Sequence, residues 1–453
     1  MTIIIFILLF TFITAIRFRT GLFLLFLLLP TYLIRFNIGS LPTTLLEIMI
    51  WIILIVWILK YRGSIILNLK SSILNHKLLF IASAIFLTAT TISIFTSVDI
   101  RSAAGEWKAF YVEPILVFII LVTSYKLLVT KNFINKIIYA LILSGLITST
   151  LAIYQHFTGW MVPDAFWENR NTFRVTAWYG FPNGVGLFLA PLLPLTIYLI
   201  KKSWNELKTS NWKLVISNYE TKITNYQLPI TNYLIIISSL LFLISAPLAI
   251  FFAKSTGGLV GVAAGIGLLL IIYKKTRWPT IIIGVLGLLS IFSIPSLSNF
   301  KQELLLQDRS GQIRLSIYKE TIEFIKDNPI KGAGLASYTE RIEPYHTTVN
   351  SEGIEIFHHP HNIFLTMWIN LGLLGLISFI LILISVFSIQ YSVFRRKREL
   401  PLIRYFLLSS LVVIIVTGLV DSPYIKNDLS ILFWLLPALL ITTERERTDE
   451  LSV

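Results

Sequence analysis

Histidines close the longest polar segment of the chain, and the last of them stands at the mouth of a long apolar run. His361 and Asn362 lead directly into the apolar residues 363–389, and the other imidazoles nearby are those of His346, His358 and His359. Histidine suits general-base chemistry near neutral pH. A metal site is not expected, because the spacing is not that of a helical i, i+4 pair and no Cys or carboxylate completes a ligand set. A catalytic imidazole and a helix-capping cluster in interfacial water remain equal alternatives.

Cationic side chains near the ends of apolar runs form the second candidate group. The guanidinium group of arginine is a planar fork that suits phosphate oxygens and stays charged when it is desolvated. Two such cations converging on the histidines would bind a diphosphate at the membrane face. Taken singly, each is more readily explained by an ion pair with Glu168, Asp308 or Glu320. The group comprises Arg170, Arg174, Arg309, Arg314 and Lys254.

The elements that position these residues are predicted to be membrane helices. Of the 453 residues, 55% are hydrophobic and only 14% are charged, with a mean hydropathy of +0.77, whereas a soluble domain has about 25% charged residues. Apolar runs of membrane-crossing length recur along the chain, and in lipid such runs must form helices. We therefore predict an all-α, polytopic membrane protein of about 12–13 transmembrane helices.

The same pattern predicts three regions. Residues 1–295 form N-terminal transmembrane helices, interrupted by a cytoplasmic low-complexity loop at 203–232. Residues 296–361 form a large extracytoplasmic loop, in which 312–326 has the apolar spacing of an amphipathic helix. Residues 362–453 supply the C-terminal helices and a short cytoplasmic tail. Glycine pairs in the spans, at Gly257-Gly258-x-x-Gly261 and Gly372-x-x-Gly375, are interpreted as helix-packing positions.

The net charge of +14 does not indicate a nucleic-acid partner. On the predicted topology, the loops on one side carry 24 Lys/Arg and 7 Asp/Glu, and those on the other side carry 14 and 17. This asymmetry is what the positive-inside rule predicts for cytoplasmic loops. The chain has no cysteine, which excludes disulfides and thiolate metal sites. The apolar N-terminus is interpreted as the first span rather than a cleaved signal peptide.

The order of these features resembles the O-antigen ligase and O-antigen polymerase family. His361-Asn362, nine residues and then Gly372-x-x-Gly375 resembles the family's ligase signature after its large external loop. Arg174 to Asn183 (RVTAWYGFPN) resembles its Arg-led entry to a span. Residues 314–338, with Asn-Pro-x-x-Gly-x-Gly, resemble its loop segment. Residues 255–261 are similar to its Ser-Arg-Gly turn, but Thr256 stands where the family commonly has Arg.

The resemblance implies a membrane glycosyltransferase of the bacterial inner (cytoplasmic) membrane, with its active face extracytoplasmic. Its donor would be a glycan on undecaprenyl diphosphate and its acceptor a hydroxyl of a glycan, lipid or protein, with inversion and with no metal or cofactor. His361 would accept or orient the hydroxyl proton, and Asn362 would fix the ring or cap the helix. The donor diphosphate would be bound by Arg314, with Arg309, Arg174 or Lys254. The alternatives are a small-solute or anion transporter and a non-catalytic member of the polysaccharide-assembly machinery.

Overall fold

The protein is almost entirely helical in the computed structural model, which describes residues 1–124, 133–169, 173–216, 228–346, 356–395 and 401–450. The first helices are α1 (Thr2–Ile16), α2 (Phe18–Leu27), α3 (Leu45–Asn75), α4 (Lys77–Phe95), α5 (Ile100–Glu106), α6 (Glu113–Thr123) and α7 (Phe133–Thr158). Then follow α8 (Ala165–Glu168), α9 (Asn183–Leu189), α10 (Leu192–Ile216), α11 (Leu228–Phe252), α12 (Thr256–Ile272) and α13 (Arg277–Ser293). The last are α14 (Ser298–Leu304), α15 (Arg309–Asp327), α16 (Tyr338–Ile342), α17 (Ile363–Arg395), α18 (Leu402–Thr417) and α19 (Asn427–Glu450). Short 3-10 turns at Leu29–Leu33, Pro295–Leu297 and Glu343–Tyr345 and a π-helical segment at Trp107–Val112 connect some of them.

The prediction of an all-α, polytopic membrane protein is confirmed. Among the described residues, six helices are long and apolar enough to cross a membrane, and a seventh span results if α13 is counted with the bent segment after it. Five further apolar helices have 10–17 residues, which is short for a crossing of about 20 residues. By length and composition the described helices therefore supply six or seven spans, and the expected 12–13 spans are reached only if the shorter apolar helices also cross.

A β-hairpin that the sequence analysis did not predict joins the first helices to α3. Strands β1 (Arg35–Ile38) and β2 (Leu41–Thr44) pair antiparallel, with Arg35 opposite Thr44. Gly39 adopts a left-handed φ of +60° in the turn between them. Thr44 then caps α3 through a reciprocal capping box with Glu47. In strands of only four residues within a polar connection, the alternation of apolar and polar residues is too weak to be recognised from the sequence.

Close helix contacts hold α12 in place, as predicted for its small residues. A Cβ on Gly258 would approach the Gly186 backbone of α9, and one on Gly261 or Gly265 would collide with α18. The Ser409 hydroxyl of α18 donates a 2.8 Å hydrogen bond to the Gly265 carbonyl. These contacts bring the start of α12, the start of α9 and the end of α18 to the same end of the bundle.

The second glycine pair marks a kink and not a helix-packing position. Gly372 interrupts α17 with a φ of +70°, and the Ile330 carbonyl accepts a 3.0 Å hydrogen bond from the Leu373 N–H. The Ala333 N–H donates to the Ile369 carbonyl at 2.6 Å, and the Trp368 indole donates to the Pro329 carbonyl at 2.8 Å. The segment with the Asn-Pro-x-x-Gly-x-Gly pattern is therefore fastened to the broken helix.

The amphipathic helix predicted at 312–326 is confirmed by α15. It begins after Asp308, whose carboxylate accepts from the Ser310 and Gly311 N–H groups, and it ends before Asn328-Pro329. Ile317, Phe324 and Ile325 are buried, whereas Ile322 is exposed. Of the predicted loop 203–232, the parts at 203–216 and 228–232 are helical, and residues 217–227 lie outside the described residues.

Candidate functional site

His361 pairs with a carboxylate from a distant part of the chain. Its Nδ1 lies 3.3 Å from Oδ1 of Asp421, which belongs to the turn 418–426 between α18 and α19. An ionised carboxylate only accepts hydrogen bonds, so Nδ1 carries the hydrogen and Nε2 is the basic nitrogen. This arrangement suits the imidazole to remove a proton from a bound hydroxyl.

The backbone of His361 is held in an uncommon conformation. Its φ is +48°, in the left-handed region that few non-glycine residues adopt. Its carbonyl accepts a 2.9 Å hydrogen bond from the Tyr318 hydroxyl, and its N–H donates to Nδ1 of His359 at 3.3 Å. Strained residues of this kind persist where their surroundings fix them, and they cluster at functional sites.

Asp421 continues the network toward a cation. Its Oδ2 accepts a 2.8 Å hydrogen bond from the Asn183 amide, and Oδ1 of Asn183 accepts from Arg174 Nη2 at 3.0 Å. Arg174 also donates to the carbonyls of Ala253 and Lys254, each at 2.9 Å. The two ends of the RVTAWYGFPN motif thus meet, and they connect Arg174 to His361 through two intervening side chains.

Arg314 reaches the same turn from α15. Its Nε donates a 3.1 Å hydrogen bond to the Val420 carbonyl, next to Asp421, and its Nη1 donates to the Ser310 hydroxyl at 2.9 Å. Tyr318, one turn further along α15, contacts the carbonyls of His361 and Leu419. The amphipathic helix therefore carries a guanidinium group to the imidazole–carboxylate pair.

Asn362 acts on the backbone around the site. Its Oδ1 accepts from the N–H groups of Phe364 and Leu365 at 3.0 and 3.1 Å, which is the geometry of a helix N-cap. Its amide donates to the Leu419 carbonyl at 3.0 Å. Of the two roles expected for this residue, the structure displays the capping role, and it also ties α17 to the turn that carries Asp421.

The remaining expected diphosphate ligands are placed less directly. The backbone carbonyl of Lys254 accepts a hydrogen bond from Arg174. Lys254 has a φ of +49° and is exposed. Arg309, the first residue of α15, is exposed and lies roughly 140° around the helix from Arg314. Thr256, which stands where the family commonly has arginine, donates a 2.7 Å hydrogen bond to Glu303. Arg170 lies outside the described residues.

The charges of the network are set by its surroundings. Burial raises the pKa of Asp421, but the electrostatic interaction and hydrogen bond with His361, the interaction with His359 and the hydrogen bond from the Ser422 N–H outweigh it, so the pKa lies below its usual range. Burial and the nearby Arg314 lower the pKa of Arg174 to about 10. At neutral pH Asp421 is thus ionised and Arg174 keeps its positive charge.

The same groups meet the spacing of a metal site. The ligand atoms of His359, His361 and Asp421 lie within 4.8 Å of one another. However, Nδ1 of His359 already accepts the His361 N–H, and Asp421 accepts from Asn183, from the Ser422 N–H and from His361. These hydrogen bonds account for the orientation of all three side chains, so we assign them no metal-binding role.

Asp421 and Asn183 were the residues that sequence analysis did not select. Asp421 is 60 positions from His361, and Asn183 is 238 positions from Asp421. The feature that could have singled out Asp421 in the sequence is a lone carboxylate at the end of an apolar run, because a buried carboxylate requires a partner. Asn183 was visible as the last residue of a motif, but nothing local indicated what it would contact.

Comparison with known proteins supports the predicted resemblance. Residues 240–380 match the family model described as O-antigen ligase. The matched stretch contains α15, Thr256, Arg314, His361 and the kink at Gly372. Arg174, Asn183 and Asp421 lie outside it. No curated protein matches the chain.

Proposed function

We propose that the protein transfers a glycan from undecaprenyl diphosphate to an acceptor hydroxyl on the extracytoplasmic side of the bacterial inner membrane. The proposal is supported by the match of residues 240–380 to the family model described as O-antigen ligase and by the helices that are long and apolar enough to cross a membrane. The family match supports an O-antigen ligase-like function in general, with a lipid-linked glycan and an acceptor. The observation that carries the finer proposal is the hydrogen-bonded series from His361 through Asp421 and Asn183 to Arg174. This series connects the imidazole that we propose as the base to a guanidinium group that we propose as a ligand of the diphosphate.

The acceptor would bind with its hydroxyl toward Nε2 of His361. The imidazole takes the hydroxyl proton while the oxygen forms a bond to the anomeric carbon of the donor glycan. The bond between that carbon and the diphosphate oxygen breaks, and the electron pair leaves with undecaprenyl diphosphate. Direct displacement of this kind inverts the anomeric configuration.

Asp421 and the arginines would stabilise the two charges that develop. As the imidazole gains a proton, the carboxylate 3.3 Å from its Nδ1 lies beside a forming cation. Arg174 and Arg314 would stabilise the negative charge on the departing diphosphate. Their guanidinium groups are held in place by hydrogen bonds to backbone carbonyls. Fixed donors of this kind cost little reorganisation during the reaction. The diphosphate is already a good leaving group, so the proposed reaction needs no metal.

The proposal is tested with purified full-length protein and a lipid-linked glycan. We expect His361→Gln to lose transfer while it still binds the donor, and Arg314→Gln to bind the donor more weakly. Matched controls come from the same loop: His346, which pairs with Glu320 at 3.3 Å, and Arg341, which is exposed. Their Gln variants should transfer at the wild-type rate. Unchanged turnover in both His361→Gln and Arg314→Gln would reject the site.

A further inference from the structure

The aromatic segment, residues 157–166, runs from the end of α7 into α8 and exposes large apolar side chains. Asp164 is its only charged residue. An exposed apolar surface of this kind marks a site of contact with lipid or with another molecule. The exposed side chains are those of Phe157, Trp160, Met161 and Phe166, with exposed fractions between 59% and 73%.

A buried glutamine fixes the shape of the aromatic segment. The Gln155 amide donates hydrogen bonds of 2.7 Å to the carbonyls of Met161 and Ala177. Its oxygen accepts from the N–H groups of Thr176 and Ala177 at 3.1 and 2.8 Å. Met161 and Ala177 both have a left-handed φ, of +62° and +49°, and such a backbone persists only where its surroundings impose it. The exposed side chains are therefore presented by a loop of defined shape.

The length of α7 places this loop at the boundary between membrane and water. Between the exposed Lys136 and its last residue, Thr158, α7 contains no Asp, Glu, Lys or Arg. This stretch is about 33 Å long, slightly more than the hydrocarbon thickness of about 30 Å. The aromatic segment begins where the apolar stretch ends, so its side chains lie at the level of the lipid headgroups.

The aromatic segment also continues a helix face that lipid covers. The span α11 ends at the same level as α7, because the Phe252 ring stacks on the His156 ring with the two centres 3.6 Å apart. The ring of Phe157 lies 6.0 Å from that of Phe252. One face of α11 is exposed along its length, at the three- and four-residue spacing of a helix surface. Its residues are Ile237, Leu241, Ile244, Leu248 and Phe251.

We propose that the aromatic segment inserts into the lipid leaflet at the end of the bundle that carries His361. Aromatic side chains are enriched at membrane–water interfaces, and Trp160 combines an apolar ring with an N–H that can donate to headgroups or water. The segment has no Lys or Arg, so burial of apolar area, and not attraction to anionic lipids, would hold it there. Contact with a sugar or with a protein would not require the segment to lie level with the ends of two spans.

The insertion would set the depth of Arg174 in the membrane. The rings of Phe166 and Trp167 lie 4.7 Å apart, edge to face, and the Arg174 guanidinium carbon lies 5.4 Å from the centre of the Trp167 ring. Arg174 also donates to the carbonyl of Ala253, the residue that follows α11. Arg174 would thus lie at the level of the lipid phosphates. This consequence rests on the proposed function, in which Arg174 binds the diphosphate, whereas the membrane contact itself does not.

The test measures depth in the membrane and does not depend on turnover. Because the chain has no cysteine, a single introduced cysteine can carry a nitroxide label in the full-length protein. Trp160→Cys and Phe166→Cys are labelled and placed in vesicles of phosphatidylethanolamine and phosphatidylglycerol. Power-saturation EPR then compares collisions with oxygen, which concentrates in lipid, and with a water-soluble nickel complex. We expect oxygen collisions to predominate at both positions, equally at low and at high salt.

Two labelled controls bracket the result. Leu248→Cys, on the exposed face of α11, should report lipid, and Arg341→Cys, which is exposed on α16, should report water. The inference is overturned if the labels at Trp160 and Phe166 collide with the nickel complex as often as the label at Arg341. It is also overturned if those two labels are shielded from nickel only when maltoheptaose is added, which would assign the surface to sugar.

A transfer assay tests the consequence for Arg174. Replacing Trp160 and Phe166 together with Ser should raise KM for the lipid-linked donor and leave KM for the acceptor unchanged. An unchanged KM for the donor would overturn the link between the aromatic segment and Arg174. The depth measurement needs no activity, so its failure and a failure of the proposed function are separate results.

Discussion

Replacing Asp421 with Asn removes one charge from the site and keeps its shape. The carboxylate lies 3.3 Å from Nδ1 of His361 and is buried, while one fifth of the imidazole side chain is exposed. Two unit charges at that distance attract by about 5 kcal/mol at an effective dielectric constant of about 20. Allowing for the exposed part of the imidazole leaves about 2–4 kcal/mol of stabilisation for the proton that His361 receives. We therefore expect kcat of Asp421→Asn to fall by about 30- to 1,000-fold.

The assay compares initial rates at saturating donor and acceptor, with the product quantified by mass spectrometry. KM for the donor should change little, because Arg174 keeps its bonds to the carbonyls of Ala253 and Lys254. Glu320→Gln is the control, since it neutralises the carboxylate of the other described histidine–carboxylate pair with the same 3.3 Å separation. A kcat of Asp421→Asn within threefold of the wild type, or an equal loss in Glu320→Gln, would refute this reasoning.

Three further outcomes are expected. Arg174→Lys should raise KM for the donor by about 10- to 100-fold, because an ammonium cannot reproduce a guanidinium held by three hydrogen bonds; an unchanged KM would remove Arg174 from the diphosphate site. Gly372→Ala should cost about 1–3 kcal/mol of stability, because φ there is +70° and the new methyl meets the Ile330 carbonyl. Its thermal unfolding is compared with that of Gly267→Ala, where the space is open, and equal melting temperatures would contradict the kink's importance. Transfer should continue at the wild-type rate in excess EDTA, and a loss that zinc or magnesium restores would show that His359, His361 and Asp421 hold an ion.

The class of fold and one half of the site follow from local sequence. Apolar runs at membrane length predict helices because lipid leaves the backbone no other partner. The polar residues before Ile363 mark the mouth of α17, and the spacing of 312–326 marks the helix that carries Arg314. These features depend on residues that are close in the chain, so a single sequence is enough to find them.

The other half depends on which turns meet in space. Asp421 joins His361 across 60 positions, and Asn183 joins Asp421 across 238. No periodicity reports such pairings. The role of Lys254 was also hidden, because the group that Arg174 contacts is its backbone carbonyl and not its side chain. Gly372 was interpreted as a packing position because a glycine pair within a span looks the same in the sequence whether it allows close helix packing or marks a kink.

The most direct measurement is the single-turnover transfer rate of His361→Gly with and without added imidazole. Glycine adopts the φ of +48° found at this position without strain, so the variant removes the ring and little else. We expect transfer to be lost while donor binding persists, and to be partly restored as imidazole is added. Transfer by His361→Gly at the wild-type rate without imidazole would contradict the proposal that this histidine takes the acceptor's proton.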